Sequence, residues 1–393
     1  MEFDLLITII EKDLDHISGH HQTQIKAIKG LFRHEKIEIF TAINSKINLQ
    51  VTDDIHRVLT NRREQKYHSE KSVRHDVTVL QKILTDVKYL RCKGVLIPTA
   101  ETHELLVCLK LIEVEKSLPK FILRVLTSEV IKKLTKAQRK ELYLCIESGL
   151  IILVTETQSL ERFLFSRYNL RAYNKFLLPC SIDPNDNMPL PIADNQTHFR
   201  IGYLGGFRRE KGANKLLKIL ANLRSQLNDS GTNITMELVM QKPKHKTVFR
   251  RLIYNYKLRS ILHNSLDPER VISMKILDAK LSDQAFVDAV YGVDILLIPY
   301  DLKAYQCRGS GMIIDGVLAK KPIIYTDGIG MEEFLRFGNA ETATNILEFA
   351  PKIMKVVQNF PAYLKNANLA HKAMSLQIKK SSKVFELTVR ETD

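Results

Sequence analysis

Short apolar runs alternate along the chain with segments whose apolar residues recur every three or four positions. In the segment 22–32 these positions include Ile25, Ile28 and Leu31, a spacing typical of a helix that packs on one face. The apolar runs between such segments have the length and branching of buried parallel strands. The predicted strands span residues 3–10, 37–43, 94–98, 121–127, 150–155, 199–204, 295–299 and 323–326. The alternation predicts an α/β protein whose mostly parallel sheets are covered on both faces.

A polar linker divides the chain near its middle. Residues 181–197 read SIDPNDNMPLPIADNQT, which is rich in Pro, Asp and Asn and has no apolar periodicity. At 393 residues the chain is long for a single core and suits two domains. We therefore predict one domain over 1–190 and a second over 191–393, with the last helix packing back on the first domain.

The composition is that of a folded protein of the cytoplasm. Hydrophobic residues make up 45% and charged residues 26%, which excludes a disordered or fibrous chain. The five cysteines are scattered without a Cys-x-x-Cys pair, which argues against a disulfide framework or a zinc site. The N-terminal stretch has no basic n-region, and the most apolar window, 149–154, is far too short to span a bilayer. We expect a cytoplasmic location.

The net charge of +15 indicates an anionic partner. Candidates are a nucleotide diphosphate, an anionic membrane surface and nucleic acid. Nucleic acid is the weakest candidate, because the chain has no Trp, no zinc-finger spacing and no basic recognition helix. One basic segment is either a solvated helix face with interleaved acids or a surface that contacts anionic lipid headgroups. Its basic residues are Arg57, Arg62, Arg63, Lys66, Lys71 and Arg74.

A glycine-rich basic loop follows the predicted strand 199–204. It reads GGFRREKG over residues 205–212, and an amphipathic helix begins directly after it. Paired glycines let the backbone approach a phosphate, and the basic residues Arg208, Arg209 and Lys211 supply positive charge. The spacing matches neither a Rossmann fingerprint nor a Walker loop. A solvated basic turn is the alternative.

A second small-residue turn follows the predicted strand 295–299. Residues Gly309, Ser310 and Gly311 open a helical segment at 312–319, and Lys320-Lys321-Pro322 ends it before the next strand. The N–H groups at such a helix start favour a phosphate or another anion. An ordinary strand–loop–helix unit without a ligand would have the same pattern.

Two loops of the first half are candidates for substrate contact. The loop after the first strand contains Gly19 and His20, and glycine permits close approach to a ligand there. His103 follows the strand 94–98 and is either a substrate-contacting group or ordinary polar surface.

Taken together, LGGFRREKG and DILLIPYDLKAYQCRGSGMIIDGVLAKKPIIYTDGIG resemble the donor-binding domain of GT-B glycosyltransferases, and within these family 4 (glycosyl transferases group 1), which is retaining and nucleotide-sugar-dependent. The segment SGHH at residues 18–21 loosely resembles the acceptor-side glycine loop of that family. The resemblance implies two Rossmann-like domains whose parallel sheets face each other across a cleft. The first would bind the acceptor and the second the donor.

The resemblance also implies roles for individual residues. Lys211 matches the lysine that binds the donor diphosphate, while Gly206 replaces the usual arginine, so that Arg208 or Arg209 would substitute for it. Of the two family glutamates, the second falls on Asp315, a ribose acceptor, and the first falls on Cys307. The predicted catalytic residues are Lys211, Arg208 and His103. The predicted donor-binding residues are Gly205, Gly206, Arg209, Tyr305, Arg308, Ser310, Gly311, Met312 and Asp315, with Gly19 and His20 on the acceptor side.

The expected function is transfer of a sugar, with retention, from a UDP- or GDP-sugar to a glycan or lipid-linked acceptor. The implied setting is bacterial surface polysaccharide or glycolipid synthesis, at the inner face of the membrane. No tightly bound cofactor or metal is expected. The alternative is a non-catalytic GT-B module that binds a nucleotide sugar or a partner, which Cys307 favours.

Overall fold

The structure is a computed structural model, and it describes residues 6–12, 14, 20–32, 36–45, 54–61, 69–86, 94–174, 176–185, 196–242 and 272–390. The chain forms two compact units. The first unit comprises Met1–Cys180, Cys307–Gly309 and Leu376–Asp393, and the second comprises Ser181–Gln306 and Ser310–Ser375.

The first unit is built on a six-stranded sheet in which every pairing is parallel. Its strand order is β3-β2-β1-β4-β5-β6, so the chain reverses its direction of travel across the sheet between β1 and β4. In open sheets of this kind, ligands bind beyond the carboxyl ends of the strands at such a reversal. The strands are β1 Leu6–Ile10, β2 Lys36–Ala42, β3 Asp54–Leu59, β4 Gly94–Ala100, β5 Lys120–Val125 and β6 Ile151–Thr155.

Helices cover both faces of this sheet because successive strand residues point in opposite directions. Ile7 and Ile9 pack with the first helix on one face, while Ile10 belongs to the core on the other face. Side-chain caps begin several of the helices, for example at Thr135 and Thr157. The helices are α1 His20–Leu31, α2 Glu70–Leu84, α3 Thr102–Val114, α4 Glu129–Lys132, α5 Lys136–Glu147 and α6 Gln158–Tyr168.

The second unit repeats this architecture with a second parallel six-stranded sheet. Its strand order is β12-β11-β10-β7-β8-β9, which places the corresponding reversal between β7 and β10. The strands are β7 His198–Tyr203, β8 Thr235–Gln241, β9 Ile272–Leu277, β10 Ile295–Ile298, β11 Ile323–Thr326 and β12 Ala340–Ala343.

The structure describes six further helices in the part of this half that it covers. They are α7 Leu216–Ser230, α8 Asp283–Tyr291, α9 Leu302–Tyr305, α10 Gly311–Leu318, α11 Phe349–Gln358 and α12 Phe360–Arg390. Helices α7 and α11 share a core with Phe199 and Ile201 on one face of the sheet, while α10 packs on the other. In the described part of the chain, no helix combines the length and apolar character needed to cross a membrane.

The predicted α/β class with parallel sheets is confirmed, and each predicted strand overlaps an observed one. Sequence reasoning missed β3, β8, β9 and β12. The predicted domain boundary at residue 190 lies outside the described residues and stays a prediction, although residues from Leu376 onward do group with the first unit.

The basic segment is not a single helix face. Arg57 lies on β3, whereas Lys71 and Arg74 lie on α2. Arg62, Arg63 and Lys66 lie outside the described residues.

The contact between α10 and its sheet gives a stability prediction. A Cβ at Gly316 would lie 2.5 Å from Leu296 Cδ1 and 3.2 Å from Ile323 Cδ1, both within the packed core. We expect Gly316→Ala to lower the free energy of unfolding by about 1–3 kcal/mol through overpacking, despite the better helix propensity of alanine. Urea denaturation followed by circular dichroism measures this.

Gly30 in α1 is the matched control, because a Cβ there meets nothing within 4 Å. Gly30→Ala should leave stability unchanged or raise it by up to about 1 kcal/mol. Equal urea midpoints for Gly316→Ala and Gly30→Ala would contradict close packing at Gly316.

Candidate functional site

The loop after β7 is held against the end of β10 by a glycine. Gly205, Gly206 and Gly212 have φ values of 84°, 91° and 82°, which side-chain-bearing residues rarely adopt. A Cβ at Gly212 would also lie 2.1 Å from the carbonyl oxygen of Pro299. Only glycine therefore fits this position, and the loop lies directly at the reversal between β7 and β10.

Lys211 points back into this loop. Its Nζ donates a hydrogen bond to the carbonyl oxygen of Gly205 at 2.5 Å and lies 5.7 Å from the centre of the Tyr300 ring. The ammonium group is thus fixed at the carboxyl ends of β7 and β10. A fixed cation at a strand reversal suits a phosphate group.

Arg208 and Arg209 differ from Lys211 because both are exposed on the outside of the loop. Arg208 Nε lies 3.3 Å from Glu210 Oε1 in a surface ion pair. The N–H of Gly206 donates to Gln241 Oε1 at 2.7 Å. Sequence analysis missed Gln241, since a glutamine at the end of an unrecognised strand carries no motif.

The start of α10 lies beside the same loop. The sulfur of Met312 is 3.7 Å from where a Cβ of Gly205 would stand. Ser310 caps the helix by accepting from the N–H of Ile313, and Gly311 is the first helical residue. The N–H of Ser310 donates to Met331 Sδ at 3.2 Å. The second glycine turn and the first are therefore neighbours.

Two buried tyrosines line the end of β10. The rings of Tyr300 and Tyr305 are 4.3 Å apart, and the carbonyl of Tyr305 accepts from the N–H of Gly330. Tyr305 is 3% exposed, so its role in the structure is to pack the loop between β10 and α10.

Asp315 lies within α10 and is 1% exposed. Its Oδ1 accepts from the backbone N–H groups of Ser181 and Ile182, at 2.7 and 3.2 Å. Burial raises the pKa of Asp315 to about 6, against the opposing effects of these hydrogen bonds and of nearby Lys211. Asp315 and Lys211 are therefore electrostatic neighbours within the second unit.

Cys307, Arg308 and Gly309 group with the first unit instead. The carbonyl of Cys307 accepts from Thr157 Oγ1, and its sulfur lies 3.7 Å from the carbonyl of Ser159. A Cβ at Gly309 would collide with the carboxylate of Glu156, at 1.5 Å. The structure therefore does not group Arg308 with the Lys211 loop.

The first unit has a buried polar cluster at the carboxyl ends of β1 and β4. Lys12 follows β1, and its Nζ bonds to Asp76 on α2 and lies 3.9 Å from Glu104 Oε1. His103 Nε2 is 2.8 Å from the same carboxylate oxygen of Asp76. Thr60 contributes its N–H and hydroxyl to Asp76, both at 2.9 Å. This cluster lies at the reversal point of the first sheet.

The charges of this cluster are almost completely removed from water. His103 and Asp76 are 0% exposed, so His103 is not the polar surface residue that one interpretation suggested. Burial favours the neutral acid, but hydrogen bonds from His103 and Lys12 outweigh it and lower the pKa of Asp76 to about 2. Sequence analysis missed Lys12, Asp76 and Glu104, because only the fold brings them together.

On the acceptor side, Gly19 lies outside the described residues. His20 is the first residue of α1, the helix that follows β1 in the chain. In the part of the chain that the structure describes, no group of three or more His, Cys, Asp or Glu side chains is arranged to hold a metal ion.

The buried carboxylate of Asp76 gives a pH prediction. Its pKa is lower in the folded state than in the unfolded chain, so its stabilising effect is present above pH 4 and is lost as the pH falls toward 2. We expect the stability of the native protein to fall by about 2–3 kcal/mol more than that of Asp76→Asn over this range. Chemical denaturation at several pH values measures the difference.

Asp229→Asn, at an exposed position on α7, is the control, and its stability should depend on pH as that of the native protein does. Parallel pH curves for native protein and Asp76→Asn would show that folding does not lower the pKa of Asp76.

The solved structures that are similar to this chain match it over nearly its whole length. No protein-family model and no curated protein matches it. Among solved structures, it is similar to an E. coli trehalose-6-phosphate protein bound with UDP-2-fluoro glucose, with 11% identity and a TM-score of 0.68 over 99% of both chains.

Two further solved structures are also similar to this chain over nearly its whole length. A UDP-forming α,α-trehalose-phosphate synthase from Burkholderia xenovorans matches with 10% identity and a TM-score of 0.61 over 98% of both chains. A putative UDP-N-acetylglucosamine 2-epimerase from Listeria monocytogenes matches with 12% identity and a TM-score of 0.57, over 99% of this chain and 98% of the other. The chain therefore has the GT-B glycosyltransferase fold, as its sequence motifs indicated.

Proposed function

We propose that the protein is a glycosyltransferase that uses a nucleotide-diphosphate sugar. The observation that carries this proposal is the position of Lys211, whose ammonium is held at the reversal between β7 and β10. The start of α10 lies beside it, with Ser310 and Gly311 at the first turn. Structural neighbours that bind a UDP sugar analogue or are named as UDP-forming support the proposal.

Lys211 would act on the leaving group. Breaking the bond between sugar and diphosphate leaves negative charge on the departing phosphate oxygens and an oxocarbenium-like sugar. A cation already oriented by Gly205 and Tyr300 stabilises that charge without reorganising during the reaction. The partial positive charge at the start of α10 adds to this effect.

Other groups of the loop would complete the diphosphate site. The N–H of Gly206 would exchange its bond to Gln241 for one to a phosphate oxygen. Arg208 and Arg209 are exposed, so either can turn toward a bound donor with little loss of native contacts. Asp315 would accept a ribose hydroxyl of a UDP- or GDP-sugar through its carboxylate, in addition to the two backbone N–H groups that Oδ1 already accepts.

The acceptor would bind to the first unit, at the carboxyl ends of β1 and β4. His20 begins the helix after β1, and Lys12 and His103 lie in the buried cluster. Because His103 is fully buried and bonded to Asp76, we assign it a positioning role rather than direct contact. We further propose that the acceptor is a glycan or a lipid-linked molecule and that the transferred sugar keeps its anomeric configuration. The reaction would take place at the inner face of the membrane. The family resemblance and the net charge of +15 support these proposals.

A non-catalytic GT-B module is the second candidate function. Cys307 stands where the resemblance places a carboxylate, and its contacts are with Thr157 and Ser159 of the first unit. Release of free nucleoside diphosphate from a nucleotide sugar distinguishes the two, because only an enzyme hydrolyses the donor slowly without an acceptor. Absence of turnover with tight donor binding would favour the module.

The role of Lys211 is testable by substitution. We expect Lys211→Ala to lower turnover by roughly 10²–10³, the usual effect of deleting one transition-state donor. Release of nucleoside diphosphate from UDP- and GDP-sugars measures the rate. Lys218→Ala, at an exposed position on α7, is the control and should retain activity. A folded Lys211→Ala protein with nearly native turnover would exclude the role.

The role of Asp315 is testable by binding. Asp315→Asn keeps an acceptor for Ser181 and Ile182 but loses the charge, and we expect nucleoside diphosphate affinity to fall about tenfold or more. Isothermal titration calorimetry with UDP and GDP measures it. Asp327→Asn, exposed after β11, should bind as the native protein does. Equal affinity in both variants would remove Asp315 from the donor site.

A further inference from the structure

A cavity lies within the second unit, at the carboxyl ends of β11 and β12. Its volume is about 450 Å³, which is within the usual range of small-molecule pockets. Thr326 and Ala343, the last residues of the two strands, line it. Lys215 at the start of α7 and Ile346 and Leu347, in the turn before α11, line it too. We call this space the α7–α11 cavity.

The α7–α11 cavity is separate from the proposed donor site. Phe349, the first residue of α11, lines the cavity and belongs to the core that α7 and α11 share on one face of the sheet. Helix α10, whose first turn forms part of the donor site, packs on the opposite face. None of the proposed donor-binding residues lines the cavity. A ligand there would therefore be a second ligand of the protein.

Lys215 brings a half-buried cation to the cavity. Its Nζ donates to the carbonyl oxygen of Tyr300 at 3.1 Å, which uses one of the three N–H donors of the ammonium. Burial lowers the pKa of Lys215, and the charge of Asp301 opposes this only in part. Asp301 itself accepts from the N–H of Ala304 at the start of α9. Within the described part of the chain Lys215 forms no ion pair, so its ammonium has donors left for a ligand.

The other polar groups of the lining are already hydrogen-bonded. Thr326 Oγ1 donates to the carbonyl of Tyr300 at 2.8 Å. Thr344 Oγ1 and Asn345 Nδ2 donate to Glu348 Oε1, at 2.8 and 2.9 Å, and Glu348 is not itself a lining residue. A sugar in the cavity would have to break these bonds, because buried hydroxyl groups without partners are unfavourable. The lining thus disfavours a carbohydrate.

The remaining walls are apolar. Ala343 and Phe349 are 0% and 1% exposed, and Ile346 packs on the same core. Leu347 is 61% exposed, so a ligand in the cavity would cover apolar surface that is now in water. Lys218 also lines the cavity, but its side chain is exposed and its charge is screened by solvent and salt. One half-buried cation among apolar walls suits an apolar molecule with a single negative charge.

We propose that the α7–α11 cavity binds a small carboxylic acid with an apolar body. The carboxylate accepts a charge-assisted hydrogen bond from Lys215, and the body lies against Ile346, Leu347 and Phe349. This site does not depend on the proposed transferase activity, and a protein without that activity would still bind the acid.

Equilibrium dialysis of the full-length protein tests the proposal with a matched pair of probes. The probes are 1-naphthylacetate and its neutral analogue 1-naphthylacetamide, which has nearly the same shape. The native protein should bind the acid about tenfold or more tightly than the amide, since a hydrogen bond to a charged group is the stronger one. Lys215→Met keeps the apolar stem without the charge, and it should remove this preference by weakening the acid alone.

Three further variants locate the acid. Lys218→Met, three residues along α7, and Lys211→Ala, in the donor loop, should each change the affinity for the acid less than about threefold. Leu347→Glu places a negative charge at an exposed wall and should weaken the acid about tenfold more than the amide. Because Leu347 is exposed, this variant tests the site even if Lys215→Met fails to fold, and circular dichroism checks each fold.

Four outcomes would overturn the proposal. Failure of the native protein to bind the acid is the first, and equal affinity for acid and amide is the second, since the cation would then have no role. Equal losses in Lys215→Met and Lys218→Met would mean that only general positive charge matters. A loss in Lys211→Ala as large as that in Lys215→Met would place the acid in the donor site. Absence of nucleotide-sugar turnover would contradict the proposed transferase but none of these binding results.

Discussion

The absence of a side chain at Gly212 is the constraint on which the candidate donor site depends. The backbone there passes so close to the carbonyl of Pro299 that a Cβ would lie 2.1 Å from its oxygen. This contact joins the loop after β7 to the end of β10, although the two are far apart in the chain. Lys211 is the preceding residue, so the same contact sets the position of its ammonium. A larger residue would separate the strand ends and displace the charge.

Once the loop is in place, electrostatics determine its chemical character. Lys211 donates to Gly205 and lies near Asp315, whose carboxylate is buried in α10. A diphosphate that bound there would compete with Asp315 for the same cation. The site thus holds its cation with internal partners before a ligand arrives, which is how preorganised sites avoid reorganisation during reaction.

The first unit follows the same topology but builds its strand reversal differently. Its described residues there include three charged side chains, Lys12, Asp76 and Glu104, all nearly inaccessible to water. Taking charges out of water costs about as much as their mutual attraction returns, so the whole cluster adds little stability over an apolar core, although within it the ionised form of Asp76 is stabilised by its partners. We interpret the cluster as functional because it lies where parallel sheets of this order bind ligands.

The sequence by itself determined the elements whose residues carry a local signal. Apolar runs such as 295–298 formed the central strands, because strands covered on both faces must be apolar throughout. The glycines at 205, 206 and 212 predicted a loop with unusual backbone dihedrals, and all three have positive φ values in the structure. The alternation of strands and helices predicted the α/β class, and the GT-B fold was expected from the resemblance of two motifs to that family.

Only the tertiary structure decided the elements and contacts that depend on distant partners. Strand β12 reads AETA and has little strand propensity, yet it pairs along its whole length with β11. Lys12 and Asp76 meet across 64 residues, and Cys307 meets Ser159 across 148. Such contacts depend on which helices and strands are adjacent in space. Local periodicity reports only which side of each element is buried, and therefore contains no information about the partner.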